Sequence, residues 1–214
     1  MLNARMRFSK TGNARYLSHL DTMHLFQRTF LRAGLPLRYT EGFNPHPYVS
    51  VLLPLPTSFA GLDEIVDFDL TEDIPAELVL DKINAALPLG FCATELCEAL
   101  DKSREIAYAS YRIELFLDET AEKIIEILKK NTIMILKKSK SGENEVNLKD
   151  YLAKASAYSE NGKIYIDAVI SAGNKNLNPE YLVNALSSEL GLKKVPDALY
   201  TRTAILKENL KTFR

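Results

Sequence analysis

The chain has 214 residues, 46% apolar and 26% charged, with a formal net charge of −1, which supports one large core or two small ones and excludes global disorder. No apolar run approaches the roughly 18 residues of a membrane helix, and no apolar region follows the arginines near the N-terminus, so neither a membrane segment nor a signal peptide is expected. Two cysteines are too few for a disulfide scaffold, and the composition predicts a soluble cytoplasmic protein with no membrane partner.

In chain order, Arg5 to Ser9 alternates with Met6 and Phe8 on one face, a half-buried strand whose polar face carries Arg5 and Arg7. After "KTGNARYL" a helix opens at Ser18, with Asp21 three residues on, and runs to about Ala33, where Gly34 and Pro36 stop it. "EGFNPHPYVSVLLPLP", Glu41 to Pro56, holds four prolines and is too stiff and donor-poor for a helix or a central strand. "EIVDFDL" is a strand with Val66, Phe68 and Leu70 inward. Pro75 opens a second helix striped by Val79, Ile83, Ala86 and Leu87, and Phe91 to Leu96 is a short strand.

The second half repeats this plan. "YRIELFL" is a strand, Asp118 caps a helix with Ala121, Ile124, Ile125 and Leu128, and "IMILKKS" is a strand. An Asn-Gly turn precedes the alternation of Ile164, Ile166, Ala168 and Ile170. Asn178 and Pro179 open the last helix, Gly191 ends it, and "ALYTRTAIL" closes the sheet. "NEVNLKDYLAKASAYSE" falls outside the minimal plan, as an added strand or short helix. The expected fold is α+β, two tandem ferredoxin-like βαββαβ modules with mainly antiparallel sheets, spanning residues 1–103 and 104–214.

Charge is unevenly spread. Met1 to Ser50 carries seven basic residues against two acids, whereas Ala60 to Glu105 carries twelve acids against three bases. A positive face meeting an anion and internal pairing of the two stretches are both open readings. No phosphate-binding loop, dinucleotide fingerprint or nucleophile elbow occurs. His19 and His24 lie about 140° apart around their helix, so they share no metal-binding face, and the two cysteines lack a third for a cluster. The residues that remain fit nucleic acid. Arg5, Arg7, Arg15, Arg28, Arg32 and Arg38, with Lys137, Lys138 and Lys140 around a Ser-Gly turn, are candidate phosphate contacts. Tyr16 and Phe43, with Tyr48, are candidate stacking groups. His19, Asp21, Asn44 and His46 converge if the proline loop returns over the helix start, and Ser18, the helix cap, joins them as a candidate RNA or partner contact. That cluster suits acid–base catalysis, a metal, or contacts to a base or phosphate; the alternative is capping and turn-forming residues with no further task.

"SHLD" at Ser18 to Asp21, "AGLP" at Ala33 to Pro36 and "GFNPHP" at Gly42 to Pro47 resemble a bacterial family, the radical-SAM-associated (radical-SAM-linked) domain of unknown function; "KKSKSGENEV", "LNPEYLVNAL" and "YTRT" are weaker echoes. The sequence departs at Asn147, where an acid is expected. Members stand beside a radical SAM gene or are fused to its product, often near ribosomal-protein and RNase genes. The resemblance implies a radical SAM protein as partner, with S-adenosylmethionine and an iron–sulfur cluster in that partner and no cofactor in this chain. The expected function is a non-catalytic RNA-binding or substrate-presenting accessory module of a radical SAM RNA-modifying enzyme. The alternatives are a metal-independent RNA endonuclease using His19, Asp21 and His46, and a pure interaction module docking the radical SAM subunit.

Overall fold

The computed structural model describes residues 3–139 and 142–214. Two compact units emerge: one runs up to Glu105 and includes Thr212–Arg214, the other is Ile106–Lys211. The last three residues thus belong to the first unit, although the sequence pattern groups them with the second half.

The first unit runs β1 (Asn3–Lys10), α1 (His19–Arg32), β2 (Val49–Leu52), β3 (Ala60–Asp69), α2 (Ala76–Ala86) and β4 (Phe91–Glu98). β1 pairs antiparallel with β4 on one side and β3 on the other, and β2 adds to the far side of β3. Counted within the unit, the spatial order is 4-1-3-2. β2 sits between Pro47 and Pro54 and pairs with β3 alone, an edge position where missing donors cost least. Five phenylalanines fill the core: Phe8 meets Phe26 edge-on at 4.7 Å, and Phe30 lies 4.4 Å from Phe68. Phe91 closes the group at 5.8 Å from Phe26. Each fully buried ring contributes about 1.5–3 kcal/mol.

α1 has both predicted ends. The Ser18 Oγ accepts the Asp21 N–H while the Asp21 carboxylate accepts the Ser18 N–H, a reciprocal capping box. At the other end Gly34 takes φ +64°; its N–H donates to Leu31 O and that of Leu35 to Phe30 O, which satisfies two orphan carbonyls. β1 departs from expectation. It is buried on both faces from Ala4 to Phe8, because it is flanked by two strands and its second face is also covered.

The second unit runs β5 (Tyr108–Phe116), α3 (Ala121–Leu128), β6 (Met134–Ser139), β7 (Gly142–Asn147), β8 (Leu152–Glu160), β9 (Lys163–Ser171), α4 (Glu180–Glu189) and β10 (Asp197–Leu206). β10, β5, β9 and β8 lie side by side in that order, all antiparallel. With the β6–β7 hairpin set aside, the order is again 4-1-3-2. The unplaced stretch from Asn144 to Glu160 therefore holds the end of β7, a 3₁₀ turn at Leu148–Tyr151 and β8. Asp118 is not the cap of α3: the helix begins at Ala121 behind Thr120, whose side chain makes no capping bond. Asn178 does hold the start of α4, its Oδ1 accepting the Glu180 N–H at 3.1 Å. The core is aliphatic, with Ile113, Ile124, Ile166, Ile170 and Leu182 fully buried. The chain is thus a duplicated α+β plan, and no helix of the described residues is long and apolar enough to cross a membrane.

Candidate functional site

Arg5 and Arg7 are the main correction. Expected as phosphate contacts on an open strand face, they are enclosed and paired. The pleat puts Arg5 directly across from Asp67, which it grips through Nε and Nη2, both at 2.7 Å. Its Nη1 donates to the carbonyls of Asp101 at 2.9 Å and Arg214 at 2.7 Å, and the Phe213 ring lies 4.7 Å from its Cζ. Arg7 pairs with Asp63 at 2.5 Å and Glu95 at 3.4 Å and donates to the Phe213 carbonyl. The basic and acidic stretches therefore pair internally along β1 and β3. The signal that finds this is the shared face: alternation puts Arg5 and Arg7 on one side of β1 and Asp63, Asp67 and Asp69 on the matching side of β3.

The helix start and the proline loop serve separate local tasks. Asp21 is absorbed by the cap, and hydrogen bonds from Ser18 hold its carboxyl below the usual carboxylate range. His19 is exposed and borders a pocket of about 10 Å³, room for one water, with Lys10, Thr22, Pro54 and Glu64. Lys10 and Glu64 are buried, and the Lys10 ammonium donates to Leu17 O at 2.7 Å; neither belonged to the expected set. His46 faces a different group. Its Nδ1 lies 3.0 Å from Thr40 Oγ1 and 3.2 Å from the Asn44 carbonyl, and its N–H donates to Thr40 Oγ1 at 3.2 Å. Among the described residues no hydrogen bond or ion pair joins His46 to His19 or Asp21, and none hold three or more His, Cys, Asp or Glu placed to bind a metal.

The proline loop is a hairpin on the edge of the first unit. Leu37 bridges Leu70, Arg38 N–H donates to Asp69 O, and Tyr48 N–H returns to Arg38 O at 2.8 Å. Its tip, Glu41 to His46, is exposed, and the Phe43 side chain stands fully in solvent. At its base lies an open cleft of about 340 Å³ bordered by Arg38, Tyr48, Asp67 and Asp69. The Arg38 side chain is 63% exposed, 3.2 Å from Asp69 Oδ2, with its Cζ 5.9 Å from the Tyr48 ring centroid. Such a cleft offers one cation, one aromatic face and two carboxylates, Asp67 gripped by Arg5 and Asp69 bonded to Arg38.

The other candidates are scattered. Tyr16 and Arg28 are exposed, and Arg15 is half-buried with its carbonyl accepting the Ser58 N–H. Arg32 is exposed but donates to Ala86 O at 2.9 Å and Thr29 Oγ1 at 3.2 Å. In the second unit Lys137 is held down, donating to Asn176 O at 2.7 Å with its ammonium 4.5 Å from the Tyr151 ring centroid. Lys138 is exposed and 3.4 Å from Glu143, and Lys140 lies outside the described residues. Asn44 stands exposed at the loop tip.

The fold is similar to that of a chain in the crystal structure of a Cbf5-Nop10-Gar1 complex, over 96% of this chain and 50% of that one, with 12% identity and a TM-score of 0.54. The chain spans about half the length of that structure's chain, and at this identity the likeness concerns the fold alone. A crystal structure of an unknown protein from Galdieria sulphuraria matches over 94% of this chain and 98% of that one, at 12% identity, but its TM-score of 0.28 carries no weight. No curated protein matches the chain significantly. A family model does match, over residues 3–179, and with it the chain belongs to the bacterial family DUF2344, described as uncharacterized protein conserved in bacteria.

Proposed function

We propose that the protein is a non-catalytic RNA-binding or substrate-presenting module that serves a radical SAM RNA-modifying protein, with each unit a ferredoxin-like βαββαβ module. The 4-1-3-2 strand order in both units supports the architectural part of this reading. The observation that carries the functional part is the open cleft at the foot of the proline hairpin, where exposed Arg38 lies beside Tyr48, with Phe43 projecting at the hairpin tip. An unpaired base stacks on an aromatic face in a sequence-tolerant way, and a neighbouring guanidinium neutralises its phosphate. Arg28 adds a second exposed cation on the same unit. The enclosed Arg5 and Arg7 leave the phosphate-binding set.

In this reading the partner supplies S-adenosylmethionine, the iron–sulfur cluster and the radical step, and this chain supplies affinity and placement. No hydrogen bond or ion pair among the described residues joins His19 to His46, so nothing supports the endonuclease alternative. Filter binding of total tRNA and rRNA to the full chain, with and without the partner, tests the proposal. Retention at low salt that falls steeply as salt rises is expected. No retention at low salt in either condition overturns it.

A further inference from the structure

The β6–β7 hairpin belongs to no part of the site above, yet it is held in a defined place. Ile135 is buried, Lys137 is tied to Asn176 O, and the Lys138 N–H donates to the Tyr181 hydroxyl at 3.0 Å. β6 has a single strand neighbour, β7, among the described residues. Backbone parity says which groups face away from it. The Ile133 carbonyl accepts the Leu148 N–H, so position 133 points toward the β7 side, whereas the Lys138 N–H points to Tyr181 on the opposite side. Alternation along a strand then directs the N–H and C=O groups of Met134 and Leu136 outward, toward α4. There a groove of about 380 Å³ opens, lined by Met134, Leu136, Tyr181, Asn184, Ala185 and Ser188, with no charged side chain among its lining residues. The Met134 and Leu136 side chains flank it, both about half or more exposed.

We propose that the outer edge of β6 and the groove between it and α4 take an extended peptide segment of a partner protein as a third strand. The chemistry of the edge selects this occupant. Outward N–H and C=O groups at every second residue match the main chain of a strand, not a helix, a phosphate or a flat aromatic. The Tyr181 hydroxyl already occupies the Lys138 end, so the ladder is short, built on Met134 and Leu136. Because side chains alternate, every second residue of the bound segment faces Ala185 and the α4 surface. These residues are small or apolar and uncharged, matching the uncharged lining; the residues between them lie beside Met134 and Leu136. The site stands whether or not the first unit binds RNA.

The test selects a phage-displayed random dodecapeptide library against the full chain and measures the best peptide by fluorescence polarisation. Two variants probe the site. Leu136→Pro removes an outward N–H without touching the β6–β7 ladder, a place where strands tolerate proline; Ser188→Arg fills the groove from an exposed helix position. Enriched peptides with apolar residues at alternate positions are expected, weakened about tenfold or more by each variant. Slower amide exchange at Leu136 in the complex is expected too. Should Leu136→Pro fail to fold, Ser188→Arg and the exchange measurement decide. No enrichment, equal binding by folded variants, or an edge occupied instead by a second copy in light scattering would each overturn the proposal.

Discussion

Two arginines of the first unit each pair with an aspartate of β3, two residues apart, and the pairs behave as different objects. Arg5 on Asp67 is bidentate, with its side chain 3% exposed and two backbone carbonyls taking its remaining reach. Arg38 on Asp69 is a single contact at 3.2 Å, with its side chain 63% exposed beside an aromatic ring. The first is a fastener whose charge is spent inside the fold. The second is held loosely by one carboxylate and keeps most of its surface for solvent or a ligand. Charge counting treats them alike; enclosure separates them.

Removing Arg5 tests the enclosed member most severely. Arg5→Ala leaves Asp67 without its bidentate cation and two carbonyls without a donor, and should cost about 3–5 kcal/mol in urea unfolding; a loss near zero would mean the pair is no fastener. The same enclosed strand pair reaches Gly61, where an added Cβ would stand 2.3 Å from the Glu64 carboxylate. Since Glu64 is buried, Gly61→Ala should cost about 1–3 kcal/mol by the same measurement. At the open helix start the stakes are smaller. Ser18→Ala should cost about 1 kcal/mol through the lost cap.

Asp21 adds a pH signature there. Its folded-state pKa is lowered by the Ser18 hydrogen bonds, so its stabilisation is present above the unfolded value, near about pH 4, and is lost as pH falls through the folded value. Thermal melts of wild type and Asp21→Asn should therefore differ at about pH 6 and converge as the pH falls through the folded value. The open arginine completes the contrast. Arg38→Ala should change stability by less than about 1 kcal/mol while weakening RNA retention and lowering the salt slope by about one. A large stability loss with unchanged retention would move Arg38 into the class of Arg5.

Much of the architecture was readable one residue at a time. The capping box at Ser18 and Asp21 and the stop at Gly34 rest on local chemistry, as does the start of α4 at Asn178 and Pro179. The proline-rich stretch reads as a loop that is neither helix nor central strand, and the structure adds the edge strand β2 within it. Asp118 misled because a capping residue type occurs two positions before the turn that begins α3. The candidate site was less readable. The loop residues Asn44 and His46 were singled out by their prolines, but their proximity to His19 depended on how the hairpin folds back, and His46 folds onto Thr40 instead. The cleft at Arg38 and Tyr48 needed β3, some twenty residues on, to supply Asp67 and Asp69.

The sequence by itself determined most of the helices and strands and several of their ends, because periods of 2 and 3.6 and the capping residues are local properties; it left the strand at Val49–Leu52 and the stretch from Asn144 to Glu160 unplaced. Only the tertiary structure decided which charges remain open. The groups that cover β1 come from Asp101 and from Phe213 and Arg214, with the Arg214 carbonyl 209 positions beyond Arg5. A strand's own alternation marks two faces; whether the polar one meets water depends on a segment whose local pattern does not say where it will lie.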